Sequence, residues 1–155
     1  MDRQRKWNMA LCALYLLLMG VLLFHRTVPE GELSYWEQLG RRINLQPLKT
    51  IRLFLVLLDH PRFRRDAIVN LVGNVVMFLP LGMLLPLGML LPRVFQKKPR
   101  LWKTLLTAAL MILAVEIAQM LTLLGTCDVD DLILNLAGTA LGYGLFRLTG
   151  KEKED

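Results

Sequence analysis

Seven polar side chains fall in or beside stretches that otherwise read as soluble in lipid, and their spacing places them on shared faces. Glu116 and Gln119 are three apart; Asp128, Asp131 and Asn135, continuing to Gly138 and Gly142, step by three and four; Asn70, Asn74 and Phe78 step by four. Such steps keep each set on one side of a helix. Charge in apolar surroundings is costly, so a carboxylate or amide there marks a functional site first. Two chemistries suit the set. In the preferred, non-enzymatic one, Asn70, Asn74, Glu116, Gln119, Asp128, Asp131 and Asn135 bind the polar part of a ligand, with no cofactor and no metal. In the alternative, Glu116 or Asp131 acts as general acid or base on a lipid-linked substrate, with a divalent cation held by Asp128 and Asp131.

Plain structural roles compete with both. Asp128 and Asp131 stand at the N-cap and N3 positions of the helix that follows them, where the helix dipole stabilises carboxylates. Asp130 points elsewhere and is read as structural. The asparagines also serve as interhelical hydrogen-bond glue, at around 1 kcal/mol or less apiece. Glu116 is harder to explain this way, because a buried carboxylate needs a partner or a proton.

The elements that must position these residues are membrane spans. Of 155 residues 54% are hydrophobic, and the mean hydropathy is +0.43, too apolar for a water-soluble domain of this size. The length suits one bundle of a few spans. The expected fold is all-α: a polytopic membrane protein forming a single domain over 1–155, with four transmembrane helices at about 7–24, 67–91, 101–124 and 129–148. The first is read as a retained span, since its run of 18 residues exceeds a cleavable signal core and no small-x-small site follows. The apolar stretch Leu48–Asp59 is too short to span and carries Arg52, so an interfacial or re-entrant helix is expected there. In the second span PLGMLL at 80–85 recurs at 86–91, and Pro80 and Pro86 predict a kink. Gly82, Pro80 and Pro86 are read as backbone devices, and the Gly138–Gly142 pair permits close approach of another helix.

The formal charge of +6 is explained by topology and not by a nucleic-acid partner. Lys and Arg prefer the cytoplasmic side. Arg3, Arg5 and Lys6, the all-basic loop with Arg93, Lys97, Lys98, Arg100 and Lys103, and Arg147 with Lys151 fall on one side of a four-span arrangement. Both termini are then cytoplasmic and the Asp-rich turn faces outward, while Arg62, Arg64 and Arg65 on the outer side meet lipid phosphates or the aspartates. At about 1.5 Å per residue, Asn74, Glu116 and Asn135 all lie about 10 to 12 Å below the outer boundary. Cys12 and Cys127 are placed too differently to pair, His25 and His60 lie outside the spans without a nucleophile beside them, and no phosphate loop, zinc or dinucleotide motif is present.

Three blocks in order resemble the VanZ-like family of bacterial membrane proteins, named for a teicoplanin-resistance protein. INLQPLKTI at 43–51 is similar to the family's Asn-x-x-Pro segment, and NLVGNVVMFLPLG at 70–82 to its Asn-x-x-x-Asn-x-x-x-Phe-x-Pro-x-Gly span. EIAQ at 116–119 and DVDDLILNLAG at 128–138 resemble its closing Glu-x-x-Gln and Asp-x-x-Asp-x-x-x-Asn-x-x-Gly pattern. Many members carry an arginine just before the aspartates, where this chain has GTC at 125–127, so either one of Arg62, Arg64 or Arg65 substitutes or the charge arrangement is altered. The resemblance implies a cell-envelope role in the bacterial cytoplasmic membrane and, in some members, lowered susceptibility to glycopeptide antibiotics. Membrane lipids, a lipid-linked cell-wall precursor or a glycopeptide antibiotic are the partners it implies. A third expectation is that the polar residues only stabilise the bundle.

Overall fold

The computed structural model describes residues 3–24, 33–87 and 100–149. Its helices in chain order are α1 (Arg3–Phe24), α2 (Tyr35–Arg41), α3 (Lys49–Leu57), α4 (Arg64–Leu84), α5 (Leu101–Leu121) and α6 (Val129–Thr149). Two short strands, β1 (Ile43–Asn44) and β2 (Cys127–Asp128), pair in parallel. The all-α class holds, but the count of four spans is met only in part. Each of α4, α5 and α6 has 21 residues and is apolar enough to cross a membrane. Helix α1 has 22 residues, with basic residues in its first turns and an apolar stretch that takes in Ala10–Phe24.

Helix α4 begins earlier than its hydropathy suggests and ends at Leu84, before the expected limit near residue 91. Pro86 accounts for the ending: it offers no N–H to continue the helical ladder. Only Pro80 lies inside α4. Residues 88–91 of the second PLGMLL copy, His25, Arg93, Lys97, Lys98 and Lys151 lie outside the described residues. The segment 48–59 contains a nine-residue helix, too short to span.

Glycine decides the tightest contact. A Cβ at Gly138 would meet the Val75 carbonyl, one at Gly142 the Leu79 carbonyl, and one at Gly82 the Thr139 carbonyl. The backbones of α4 and α6 therefore touch along more than one turn, as the Gly138–Gly142 spacing predicts. Met19 of α1, Phe78, Leu81 and Leu85 from α4 and its end, and Ala108 and Ile112 of α5 form the buried apolar core.

The outer faces are apolar. Val69, Val72 and Val76 on α4, Leu106, Leu110 and Leu113 on α5, and Leu141 and Leu145 on α6 are exposed at helical steps, a surface that lipid satisfies. Aromatic residues mark its two ends. Tyr35 Oη donates to the Leu121 carbonyl at 3.0 Å and Tyr35 packs edge-on against Trp36, while Trp102 is exposed at the start of α5. From Trp102 to Leu121 the helix rises roughly 28 Å, close to the thickness of a bilayer's hydrocarbon core, with amphipathic rings at both levels.

Candidate functional site

The turn before α6 is built by carboxylates. Cys127 N donates to the Arg42 carbonyl at 2.8 Å, and β1 pairs with β2 so that Asn44 lies opposite Asp128. Asn44 Nδ2 donates to both Asp128 oxygens at 3.1 Å, Thr50 Oγ1 donates to Oδ2 at 2.6 Å, and Asp130 N donates to Oδ1 at 2.9 Å. The last contact is the N-cap role expected of Asp128. Its other contacts tie the 43–50 segment to α6.

Asp130 does more than its expected structural part. It is fully buried and accepts from the backbone N–H groups of Leu48 at 2.5 Å, Thr50 at 2.7 Å and Ile51 at 3.0 Å. It is the N-cap of α3 delivered from another helix. Leu48, the residue at that start, offers no capping side chain and holds φ at 64°, a left-handed conformation that costs a non-glycine residue about 1 to 2 kcal/mol.

Asp131 accepts from Asn74 Nδ2 of α4 at 2.8 Å. Behind this pair lies a cavity of about 520 Å³ lined by Asn70, Asn74, Glu116, Gln119, Asp131 and Asn135 together with apolar side chains of α1, α4 and α5. Six of the seven expected binding residues are thus brought together; Asp128 is not in the lining and spends its carboxylate on Asn44 and Thr50.

Within the cavity the polar atoms are unequally satisfied. Gln119 Nε2 donates to the Leu23 carbonyl at 2.5 Å and Tyr15 Oη to the Met77 carbonyl at 3.2 Å. Glu116 and Asn135 are each only 4% exposed, and Glu116 Oε1, Asn135 Oδ1 and Asn70 Oδ1 are buried without a partner among the described residues. An orphaned buried acceptor costs on the order of 1 to 3 kcal/mol, which makes such atoms pointers to a missing ligand. Glu116 Oε2 is approached by the Cys127 thiol at 3.9 Å. Burial first, then the Glu116 and Asp128 carboxylates, pushes that thiol above its usual range. In a Cys12→Ala background, Cys127 is expected to alkylate more slowly than a free cysteine at pH 8, with its rate rising only at higher pH. Mass spectrometry of iodoacetamide-treated protein checks this; Glu116→Gln is expected to speed the reaction.

Three parts of the site escape sequence reasoning. Helix α1 supplies a wall through Tyr15, Leu18, Met19, Leu22 and Leu23, and its amphipathicity is too weak to announce an inner face. The two-residue strand pair has no periodicity to detect. The cation beside the GTC turn is Arg42, not one of the expected arginines: it is buried and donates from Nη1 to the Gly125 carbonyl at 3.2 Å. Arg62, Arg64 and Arg65 are exposed, Arg64 Nε donating to the Leu58 carbonyl at 2.8 Å and Arg62 stacking over Phe63.

No curated protein and no solved structure matches this chain. The VanZ/LLP1 family model matches residues 11–150, which takes in every helix that lines the cavity and both carboxylate-built turns. This α-helical chain, with three helices among the described residues able to cross a membrane, belongs to the VanZ/LLP1 family.

Proposed function

We propose that the chain is a non-enzymatic envelope protein of the bacterial cytoplasmic membrane, with both termini cytoplasmic, whose cavity opens in the outer half of the bilayer. It takes up a lipid-linked cell-wall intermediate, or part of a glycopeptide antibiotic, and so lowers access of the drug to its target. The carrying observation is the pairing of Glu116 Oε1 and Asn135 Oδ1, buried without partners, with apolar walls from α1 and α4 in one cavity. Its volume falls within the range of small-ligand sites, and its mixed lining suits an amphiphile with one polar end.

Glu116→Gln and Asn135→Leu are each expected to abolish any teicoplanin-resistance phenotype while membrane levels stay normal. Unchanged minimum inhibitory concentrations in both variants would sink the proposal. Loss of folded protein in detergent would instead support a purely structural role for these residues. The burial of Glu116 beside Asp131 in one cavity keeps the enzymatic reading in view. Incubating the purified protein with a lipid-linked precursor, with and without divalent metal, separates the two: a changed product mass means catalysis by Glu116 or Asp131, and retention without turnover means binding.

A further inference from the structure

Helix α3 is tied to the bundle, yet none of its nine residues is buried. Asp130 caps its start through the N–H groups of Leu48, Thr50 and Ile51, and Ile51, Phe54 and Leu57 are half-buried. The other face follows steps of three and four: Lys49, Arg52, Leu53 and Val56 are all exposed. Cations set among bare aliphatic side chains suit neither water alone nor hydrocarbon alone. They suit the boundary between the two.

The place of α3 in the fold puts it at such a boundary. It stands at the end of the bundle where α4 and α6 begin and α5 stops: Asp130, in the first turn of α6, caps it, and Tyr35 of the preceding helix reaches the Leu121 carbonyl. Trp36 beside it is exposed, as an interfacial aromatic would be. The turn after α3 and the start of α4 add Arg62, Arg64 and Arg65, all exposed, and the exposed carboxylates between 43 and 66 are Asp59 and Asp66. Arg64 and Arg65 also open a helix that has no side-chain cap, where the helix dipole disfavours positive charge. An anion at this surface offsets both the excess of cations and their placement.

We propose that the exposed face of α3 and the start of α4 form a docking surface for anionic lipid headgroups, with Leu53 and Val56 below the headgroup layer and the cations at the phosphates. The mixed face favours a membrane over a soluble polyanion, which would gain nothing from the aliphatic side chains. This surface is separate from the cavity and does not depend on what the cavity holds.

The test uses the full chain in two ways. In detergent it is offered phosphatidylglycerol and phosphatidylcholine with identical acyl chains, and native mass spectrometry reads which is retained. Phosphatidylglycerol is expected to dominate. The double variants Lys49→Gln with Arg52→Gln, and Arg62→Gln with Arg65→Gln, are each expected to lower its excess by about tenfold or more. In lipid nanodiscs, a fluorophore attached to Val56→Cys in a Cys12→Ala, Cys127→Ser background is expected to emit at shorter wavelength than in water and to be quenched by lipids with a nitroxide near the headgroup. Equal retention of the two lipids by the wild-type chain, or an excess of phosphatidylglycerol that survives both double variants, would overturn the anionic-lipid assignment. A fluorophore that stays in water and is not quenched would overturn the membrane contact and assign the surface to a soluble polyanion or a protein. The wild-type lipid ranking and the fluorophore stand as tests even where a double variant fails to fold.

Discussion

Replacing Gly138 or Gly142 by alanine is expected to destabilise the bundle by about 3 kcal/mol, while the same replacement at Gly144 stabilises it by roughly 0.5 kcal/mol. The three glycines share one helix and fall within seven residues, so intrinsic helix propensity favours alanine at each. Surroundings reverse the sign at two of them. At Gly138 and Gly142 the new methyl would meet the Val75 and Leu79 carbonyls of α4, and main chain cannot rotate aside as a side chain does; at Gly144 nothing lies within 4 Å. Relief requires α4 and α6 to separate, which also pulls Asn74 from Asp131 and opens the cavity wall. Titration with a denaturing detergent, followed by helical circular dichroism, measures the three variants. A Gly142→Ala variant as stable as Gly144→Ala would mean that the two helices do not touch as described.

The α4–α6 contact shows what kind of information the sequence carries. Gly138 and Gly142, like Asn70 with Asn74 and Glu116 with Gln119, signal a shared face through spacing within one helix, and all of these side chains line or adjoin one cavity. Local periodicity says which way a face points. It does not say what meets that face from afar. Asn44 finds Asp128 across 84 positions through strands of two residues, too short for any alternation to register. The wall from α1 is hidden for a different reason: its leucines cover every side of the helix, so lipid-facing and cavity-facing residues look alike. Asp130 left a clue that spacing does not use. A helix that begins at Leu48, with no Ser, Thr, Asp or Asn at its start, must obtain its cap from elsewhere.

That cap leads to the second large effect. Asp130→Ala is expected to release α3 from the bundle, costing about 3 kcal/mol locally. Three N–H groups lose a charged acceptor at once, those of Leu48, Thr50 and Ile51. The left-handed backbone at Leu48 loses the contact that holds it. Asp130→Asn should fall between, because an amide keeps one accepting oxygen but turns a donor towards donors. Asp128→Asn should loosen Asn44 and Thr50 while leaving the α3 cap in place, since Asp128 and Asp130 address different atoms. Hydrogen exchange resolves these cases: Asp130→Ala should speed exchange at 48–57 by about a hundredfold, with the amides of α4 and α6 nearly unchanged. Uniformly faster exchange would make Asp130 a keystone of the whole fold, and unchanged exchange at Leu48, Thr50 and Ile51 would remove it as their cap. A local effect would establish that the 43–57 segment is clamped to the head of α6 by Asp128 and Asp130. The neighbouring Asp131 accepts from Asn74 and lines the cavity, so three nearly adjacent carboxylates tie two different parts of the chain, the 43–57 segment and α4, to the head of α6.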